Sequence, residues 1–307
     1  MSDLIDRLKG INHFFFDKTP RKVKVVQPKE WPKITKGEKG QMFVAKIQAK
    51  AVLKEDIKKA VAQLGPISQI ISRGDKVLVK PNYNSPDPPP ASTDIAFLRA
   101  VIEILIETGA TVSVGDSSGA LWRPTDTVFR KVQLYQLGKE LGVPIIAFED
   151  NDNEWVKIKI DGRYLKSVTM PRAAYEADKL VYLPCLKTHS LAQFSGALKL
   201  TFGFVHPGER RAFHSGHLQE KLAEVNLCWP PNLIVMDGRK AFVSGGPNRG
   251  QIAQPGVILT SRNPVAIDVE AIKVLILNGA KNLPSDPWKL PQIARAVAEG
   301  IGVKASP

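Results

Sequence analysis

Residues 76–150 alternate between short apolar runs and longer amphipathic runs, and this alternation is the strongest constraint on the fold. The runs KVLVKPN, TVSVGDSSG and VPIIAFED have the length and β-branched content of buried strands. Between them, IAFLRAVIEILIETG and TVFRKVQLYQLGKELG have helical spacing, and Thr93 or Asp94 can cap the first. This β-α-β-α-β order predicts an α/β fold with a mainly parallel sheet and helices on both faces.

After Asp150 the sequence predicts a β-hairpin in addition to alternating strands and helices. WVKIKIDGRYLKSVTM alternates around an Asp-Gly dipeptide at residues 161–162, which favours a β-hairpin added to the sheet. RAAYEADKLVYLPCLKTH predicts a helix and then a strand, NLIVMDG and GVILTSRNP predict further strands, and VAIDVEAIKVLILNG predicts a helix. We expect an α/β body over residues 46–307, either as one unit or as two lobes of about 46–150 and 151–307.

Residues 1–45 predict a basic, extended N-terminal arm. Prolines within it block long helices, and Phe14, Phe15, Phe16 and Trp31 are expected to anchor it on the body. The chain has a net charge of +13, and residues 1–80 contain 18 Lys and Arg against 8 Asp and Glu. The basic residues are scattered and no nucleic-acid motif accompanies them, which disfavours nucleic acid. Steering of an anionic ligand is the favoured reading, and an acidic protein partner for the arm is the alternative.

Hydropathy and cysteine content narrow the class of protein. No apolar run approaches the roughly 18–20 residues that cross a bilayer, and MSDLIDRLKG lacks the apolar centre of a signal peptide. We therefore expect a cytoplasmic protein without a membrane span. Cys185 and Cys228 are the two cysteines of the chain. They exclude a disulfide scaffold, a four-thiolate zinc site and a self-contained iron–sulfur cluster, and they leave the reactivity of Cys185 open.

Ionisable residues follow the predicted strands. In parallel α/β sheets, ligands bind beyond the carboxyl ends of the strands. The residues at those positions are 80–82, 115–119, 187–189, 237–238 and 261–263. Turn formation alone favours Gly, Asn, Asp and Ser, but it does not require the lysines, histidine and arginine also found there. This edge of the sheet is therefore the predicted site.

The segment LPCLKTHSLAQFSGALK, residues 183–199, carries the strongest signal. Lys187 and Lys199 can neutralise a carboxylate or phosphate, and a desolvated lysine can act as a base or nucleophile. His189 can exchange a proton or bind a metal. We predict Lys187, His189 and Lys199 as catalytic residues. The predicted substrate-binding residues are Lys80, Asn82, Asp116, Ser117, Ser195, Arg211, His214 and Asp237.

A histidine-rich stretch, FVHPGERRAFHSGH, follows this segment and is predicted to be a loop that closes over the site. His214 and His217 have a spacing compatible with metal binding. A metal held by His189, His214 and His217 is therefore an alternative to anion binding. SGGPNRGQ, residues 244–251, fits a phosphate cradle or a hairpin turn. Neither a P-loop, a GxGxxG fingerprint nor a GxSxG elbow is present.

Five separated motifs resemble the family known as domain of unknown function 362. They are VKPNYNSP, VGDSSG, YLPCLKTHSLAQFSGALK, VMDG with SGGPNRGQ, and TSRNPVAIDVEA, and they span roughly residues 70–280. The resemblance implies an α/β fold but no general reaction. Many members carry a ferredoxin-like cysteine module that this chain lacks. Members also show Lys-Asn where this chain has Lys199 and Leu200.

A weaker similarity is confined to residues 187–199. KTHSLAQFSGALK is similar to a stretch of nickel-pincer lactate racemases, in which a histidine coordinates nickel. The positions that match are His189, Phe194, Ser195, Gly196 and Lys199. The similarity implies a metal- or nickel-pincer-dependent, racemase-like enzyme as one alternative.

The residues favour an enzyme that acts on a small carboxylate- or phosphate-bearing molecule, by proton transfer or redox chemistry at the carboxyl ends of the strands. A non-catalytic protein that binds an anionic ligand or partner is the second hypothesis. The sequence leaves the cofactor open, with a bound metal among the alternatives.

Overall fold

A large sheet forms the centre of the computed structural model, which describes residues 17–20, 22–31, 43–50, 52–150 and 154–302. Within these residues the sheet has ten strands, and seven of them follow the order β10-β9-β11-β8-β3-β4-β5. The strands of the sheet are β2 (Val44–Gln48), β3 (Lys76–Lys80), β4 (Thr111–Asp116), β5 (Ile145–Ala147), β8 (Lys179–Tyr182), β9 (Cys185–His189), β10 (Gln193–Ser195), β11 (Leu233–Gly245), β12 (Gly250–Ala253) and β13 (Val257–Ser261).

Helices connect these strands. The described helices are α1 (Leu53–Ala62), α2 (Ile95–Glu107), α3 (Thr125–Lys131), α4 (Leu134–Leu141), α5 (Arg172–Glu176), α6 (Ala197–Leu200), α7 (Pro207–Phe213), α8 (Leu218–Glu224), α9 (Pro264–Leu277) and α10 (Pro291–Ala298). Short 3-10 helices cover Ile67–Gln69, Ala120–Trp122, Thr201–Phe204, Val225–Cys228 and Pro287–Lys289. Among the described helices, none combines the length and apolar content that crossing a membrane requires.

Most of the sheet is parallel, as predicted. β3 pairs in parallel with β4 and β8, β4 with β5, and β11 with both β8 and β9. Antiparallel strands add to this array, because β10 pairs with β9, β12 and β13 pair with β11, and β2 pairs with β13. The carboxyl ends of β3, β4 and β8 therefore share one edge.

Alternate side chains of the central strands enter two separate cores. Val77 and Val79 of β3 belong to one apolar cluster, whereas Leu78 between them belongs to the other. Val181 of β8 likewise faces away from Leu180 and Tyr182. One core includes residues of α1 to α4, and the other includes residues of α6 and α8 to α10. The prediction of helices on both faces is confirmed.

Local signals explain where several elements begin. Asp94 caps α2, since its side chain accepts hydrogen bonds from the amides of Ala96 at 2.7 Å and Phe97 at 3.4 Å. The predicted single helix over residues 127–142 is instead two, α3 and α4. Gln133 separates them in a left-handed backbone conformation with φ of 59°.

Three strand predictions differ from the structure near the site edge. Residues 187–189 were predicted to follow the end of one strand, but they belong to a second strand, β9, which comes after β8. β11 does not end at Asp237 but continues to Gly245, with an irregular register against β9. β13 is antiparallel to β11, so residues 261–263 lie at the opposite edge, where the Asn263 side chain caps α9.

A second, three-stranded sheet contains the predicted hairpin. β1 (Lys24–Val26) pairs in parallel with β6 (Trp155–Lys159), which pairs antiparallel with β7 (Ser167–Pro171). The Asp-Gly dipeptide does not form a two-residue turn, because the connection covers residues 160–166. The Glu224 carboxylate fixes this connection by accepting hydrogen bonds from the amides of Tyr164 at 2.9 Å and Leu165 at 2.8 Å.

Part of the N-terminal arm contacts the body. The Trp31 Nε1–H donates a hydrogen bond of 3.0 Å to the carbonyl of Asn226. The Lys29 amine donates a 2.7 Å bond to the carbonyl of Ala177 and lies 4.1 Å from the ring centre of Trp229. Phe14, Phe15 and Phe16 lie outside the described residues, so the anchoring role predicted for them stays a prediction.

Removing the buried Glu224 carboxylate should destabilise the protein. It is fully buried, and Arg295 pairs with it at 2.9 Å. Glu224→Ala leaves two amides without their acceptor and removes one of the two carboxylates that pair with Arg295, the other being that of Glu299. We expect the free energy of unfolding to fall by about 3 kcal/mol or more in urea denaturation.

The matched control is Glu103→Ala, which removes a half-exposed pair with Lys54 and should cost less than about 1 kcal/mol. Equal losses for the two variants would contradict this account of the hairpin connection.

Candidate active site

A cavity of about 450 Å³ opens at the carboxyl edge of the parallel strands. Ten of the twelve predicted site residues line it, so the residues predicted from the strand ends and from the segments after them share one cavity. These ten are Lys80, Asn82, Asp116, Ser117, Lys187, His189, Ser195, Lys199, Arg211 and His214. The other two, Asp237 and His217, are not among its lining.

Asp237 lies in the interior of β11 rather than after its end. Its carboxylate pairs with Arg239 at 2.7 Å, and the same guanidinium reaches Asp94 at 2.9 Å. Asp237 lines a separate cavity of about 300 Å³ instead. Its predicted place at the main site was wrong because the strand continues past it.

His217 starts α8 and stacks on the ring of Tyr164, with centroids 4.3 Å apart. His214 lies at the end of α7. Partial burial of its ring and the charge of the nearby Lys199 lower its pKa. Among the residues described, no three His, Cys, Asp or Glu side chains lie close enough together to hold a metal ion. The structure therefore does not assemble the metal site predicted from His189, His214 and His217.

Lys80 and Asp116 form a buried ion pair at the ends of neighbouring strands β3 and β4. Their Nζ and Oδ1 atoms are 2.6 Å apart, and both side chains are almost fully buried. The amides of Tyr83 and Ser117 also donate to the Asp116 carboxylate, at 2.7 and 2.6 Å. Burial lowers the pKa of Lys80 and raises that of Asp116, and their mutual attraction opposes both shifts.

Gly203 leaves room for this pair. A Cβ atom at this position would lie 2.6 Å from the Lys80 Nζ and 2.8 Å from the Asp116 Oδ1. The glycine allows the 3-10 helix Thr201–Phe204 to pack directly on the two charged groups. The backbone of this helix thus forms one wall of the cavity next to the pair.

Lys187 points a second buried amine towards the cavity from β9. Its Nζ donates hydrogen bonds to the carbonyls of Ala91 and Pro247, the latter at 3.2 Å. No ion pair joins it to a carboxylate among the described residues. Burial lowers the pKa of Lys187. The neighbouring strand β10 places Ser195 opposite Lys187 in the antiparallel ladder.

Lys199 brings a third amine on the short helix α6. No hydrogen bond or ion pair joins it to another described residue, and its Nζ lies 5.8 Å from the ring centre of Phe202. Burial, followed by the positive charges of Lys187, Arg210 and Lys80, lowers the pKa of Lys199 to about 7. At neutral pH both the amine and the ammonium forms are therefore populated, which suits acid–base chemistry.

Asp268 holds the turn that carries Lys199. Its two carboxylate oxygens accept hydrogen bonds from the amides of Ala197 at 2.6 Å and Leu198 at 2.9 Å, at the start of α6. Burial raises the pKa of Asp268 to about 7, against these hydrogen bonds. Asp268 was not among the predicted site residues. Its signal in the sequence was a carboxylate that interrupts the apolar run PVAIDV at the start of the helix.

His189 has a defined orientation. Its Nδ1 accepts hydrogen bonds from the amides of Leu191 and Ala192, each at 3.1 Å. A neutral imidazole with an accepting Nδ1 carries its proton on Nε2. Burial and the neighbouring cations Lys199 and Lys187 lower the pKa of His189 to about 2. The side chain can therefore donate from Nε2, but it offers no lone pair to a metal ion or a proton near neutral pH.

Arg210 is the buried arginine of α7, whereas the predicted Arg211 is exposed at the cavity mouth. Among the described residues, the Arg210 guanidinium donates to four carbonyls, those of Val205 at 2.8 Å, Ser118 at 2.7 Å, Gly203 at 3.1 Å and Ser117 at 3.5 Å. The predicted loop is in part the helix α7, which His206 caps by accepting from the Gly208 amide at 3.0 Å. A helix turns adjacent residues to different faces, so it separates the two arginines.

Arg123 is a further buried cation that sequence reasoning missed. It lines the cavity and pairs with Asp17 from the N-terminal segment. Burial and the charge of Arg210 lower the pKa of Arg123 to about 10. Arg123 does not come directly after a predicted strand, since it follows the 3-10 helix Ala120–Trp122. The position of the strand ends therefore could not indicate it.

Positive charge dominates the cavity. Among the described residues, six basic side chains line it and Asp116 supplies the one carboxylate. The basic residues are Lys80, Arg123, Lys187, Lys199, Arg210 and Arg211. The Ser117 hydroxyl also lines the cavity, and it is buried without a hydrogen-bond partner in the described part of the chain. Buried polar groups are normally satisfied, so both observations indicate space for a polar, anionic ligand.

Cys185 is a buried thiol on the same wall. Burial raises its pKa, against the opposing charge of Lys187, and Thr93 Oγ1 lies 4.0 Å from its sulfur. A protonated, buried thiol has little nucleophilic character. Cys228 is also free and buried, outside the cavity lining.

The chain matches the family model described as domain of unknown function (DUF362) over residues 77–273, and it belongs to that family. Every residue that lines the cavity falls within this range. The chain is also similar to the thylakoid-associated protein sll1697 of Synechocystis sp., with 24% identity over 274 residues that cover 78% of this chain and 83% of that protein. The local similarity to nickel-pincer racemases stays a prediction, and the orientation of His189 does not fit a nickel ligand.

The lowered pKa of Lys199 can be measured directly. After reductive methylation with ¹³C-formaldehyde, one lysine resonance should titrate near pH 7 in NMR spectra, because burial and neighbouring cations disfavour its charged form. That resonance should be missing from Lys199→Met and present in Lys281→Met, which removes an exposed lysine. A Lys199 resonance that titrates near pH 10 would contradict the description.

The tautomer of His189 gives a second test. Its ring nitrogens should show the ¹⁵N shifts of a neutral, Nε2-protonated imidazole throughout pH 5–9, since the Nδ1 lone pair accepts two amide hydrogen bonds. His189→Gln assigns the signal. Titration between pH 6 and 7, or a proton on Nδ1, would show that the ring is arranged differently.

Proposed function

We propose that this member of the DUF362 family is an enzyme that binds an organic carboxylate or phosphate in the cavity and uses Lys199 to move a proton on it. The observation that carries the proposal is the charge of the lining, six basic groups against the single described carboxylate of Asp116. A cavity lined in this way attracts anions and repels cations.

A bound anion stabilises a buried ammonium group more than it stabilises a lysine at the surface, because water already solvates the surface group. Water cannot reach Lys187 freely, and its described partners are neutral carbonyls. Removing an ammonium group from water costs several kcal/mol unless charge or hydrogen bonds compensate. A bound anion supplies that compensation to Lys187, Arg210 and Lys199 together.

The groups can be assigned separate roles. Lys187 and Arg210 are held by backbone carbonyls and set a fixed positive field. Lys199 lacks such partners and is left to contact the anion. The His189 Nε2–H and the Ser117 hydroxyl supply neutral hydrogen bonds that orient the ligand.

Acid–base behaviour favours Lys199 as the reacting group. Its pKa of about 7 allows the neutral amine to accept a proton at physiological pH. An anionic substrate beside it favours the charged form, so the pKa rises when the substrate binds. In the complex Lys199 is therefore mainly protonated at pH 7, so it can give that proton to the bound substrate as a general acid and take it back when the product leaves.

A non-catalytic binding protein is the second candidate. The carbonyl hydrogen bonds of Lys187 and Arg210 favour it, since they suit these residues to static binding rather than to proton transfer. Either candidate needs the anion, and the two differ in whether Lys199 exchanges a proton with the bound ligand.

Cellular location and partners remain separate predictions. The name of the relative places that protein at the thylakoid, whereas a cytoplasmic location is what we propose for this chain. An acidic protein partner for the N-terminal arm is likewise a proposal based on its positive charge.

Titration calorimetry with malonate and inorganic phosphate tests the proposal. The wild-type protein should bind one or both, with affinity that weakens as salt rises. In buffers of different ionisation enthalpy, binding at pH 7 should take up roughly half a proton, because an amine with a pKa near 7 is about half protonated beforehand.

Two variants sharpen this experiment. Lys199→Met should weaken binding about tenfold or more, as expected for a lost charge-assisted contact, and should abolish the proton uptake. Lys281→Met should change neither. Unchanged binding by Lys199→Met would refute the role of Lys199 in the cavity. Binding without proton uptake would contradict a pKa near 7 for Lys199, and with it the proton transfer assigned to this residue.

A further inference from the structure

We infer that the anion bound in this cavity is amphipathic, with a charged head at the buried lysines and an apolar tail of several carbon atoms that lies between Leu121 and Leu191. This inference rests on the proposed function, because it identifies the class of ligand for the same site. It adds that the apolar lining at the open end of the cavity contacts the tail of the ligand.

Two exposed leucines carry the inference. Leu121 is 54% exposed and Leu191 is 64% exposed, and both line the cavity. Leu121 lies in the 3-10 helix that follows β4, and Leu191 lies in the turn between β9 and β10. Single exposed leucines are common on protein surfaces, but two from separate elements at one opening form an apolar patch that favours a ligand.

Charged and apolar groups share the lining of the cavity. Lys80 and Lys187 are each 1% exposed, so they mark the inner end. Among the described lining residues, Arg211 is the one charged side chain that is itself exposed. Further apolar lining comes from Trp122, Leu200, Phe202, Leu218 and Leu222. The cavity therefore combines buried charged groups with a largely apolar remaining wall, and its exposed lining consists of the two leucines together with Ser190, Arg211 and His214.

The volume of the cavity agrees with this combination. About 450 Å³ lies within the range of sites that hold molecules larger than an inorganic ion, roughly 300–1,000 Å³. A phosphate or carboxylate group at the lysines would leave most of that space to be filled. Because the remaining wall is largely apolar, a hydrocarbon chain or ring suits it better than a second polar group.

Straight-chain carboxylates from acetate to decanoate, used below their micelle concentrations, test the inference by calorimetry. Affinity for the full-length protein should rise by about threefold to fourfold for each added CH₂ group. It should then level off once the tail extends beyond the two leucines. Octan-1-ol should bind far more weakly than octanoate, because it lacks the charge.

A pair of variants separates tail binding from head binding. In Leu121→Ser/Leu191→Ser the gain per CH₂ should fall by half or more, while the affinity for acetate and phosphate stays unchanged. Leu277→Ser is the matched control, since Leu277 is 82% exposed at the end of α9 and does not line the cavity. The single variant Leu191→Ser provides the same test should the double variant fail to fold.

The possible outcomes separate the amphipathic nature of the ligand from anion binding as such. Binding of acetate and phosphate with no gain from longer chains would overturn the amphipathic ligand and leave anion binding intact. A gain that survives both leucine substitutions would overturn the place assigned to the tail. Failure of every anion to bind would instead overturn the proposed function.

Discussion

Buried positive charge is the constraint on which the site depends. An ammonium group loses favourable hydration when it is buried, and the loss is recovered only through partners. The Lys80–Asp116 pair recovers it with a carboxylate at 2.6 Å. Lys187 and Arg210 recover it with backbone carbonyls, which leave a net positive field. Lys199 has neither kind of partner among the described residues, and its pKa falls towards neutrality as a consequence.

The fold supplies this arrangement through the direction of its strands. Parallel pairing places the ends of β3 and β4 side by side, so that Lys80 and Asp116 meet across one hydrogen-bonded step. β9 and α6 then approach the same edge from further along the chain. Gly203 allows the backbone to lie against the ion pair, and Asp268 fixes the helical turn below Lys199. Gly203 and Asp268 thus set the positions of the charged side chains in the cavity.

The sequence predicted the parallel core and most of the cavity because strand periodicity marks the position of strand ends. Strand periodicity alone pointed to Lys80, Asp116 and Lys187. It failed for Asp237, since hydropathy does not reveal that β11 continues beyond the predicted turn. It also chose Arg211 over Arg210, because it predicted a loop where the chain forms a helix whose faces distinguish neighbours. The contribution of Asp268 depends on a tertiary contact over seventy residues, which no local pattern encodes.

The central claim is that this cavity is an anion site created by incompletely compensated lysines. Anomalous diffraction from crystals soaked in bromide tests it most directly, because bromide reports positive potential without requiring the true ligand. The account predicts a bromide peak in the cavity near Lys187 and Lys199, and its loss in Lys199→Met at equal bromide concentration. A cavity that excludes bromide, but takes up rubidium in a parallel soak, would contradict it.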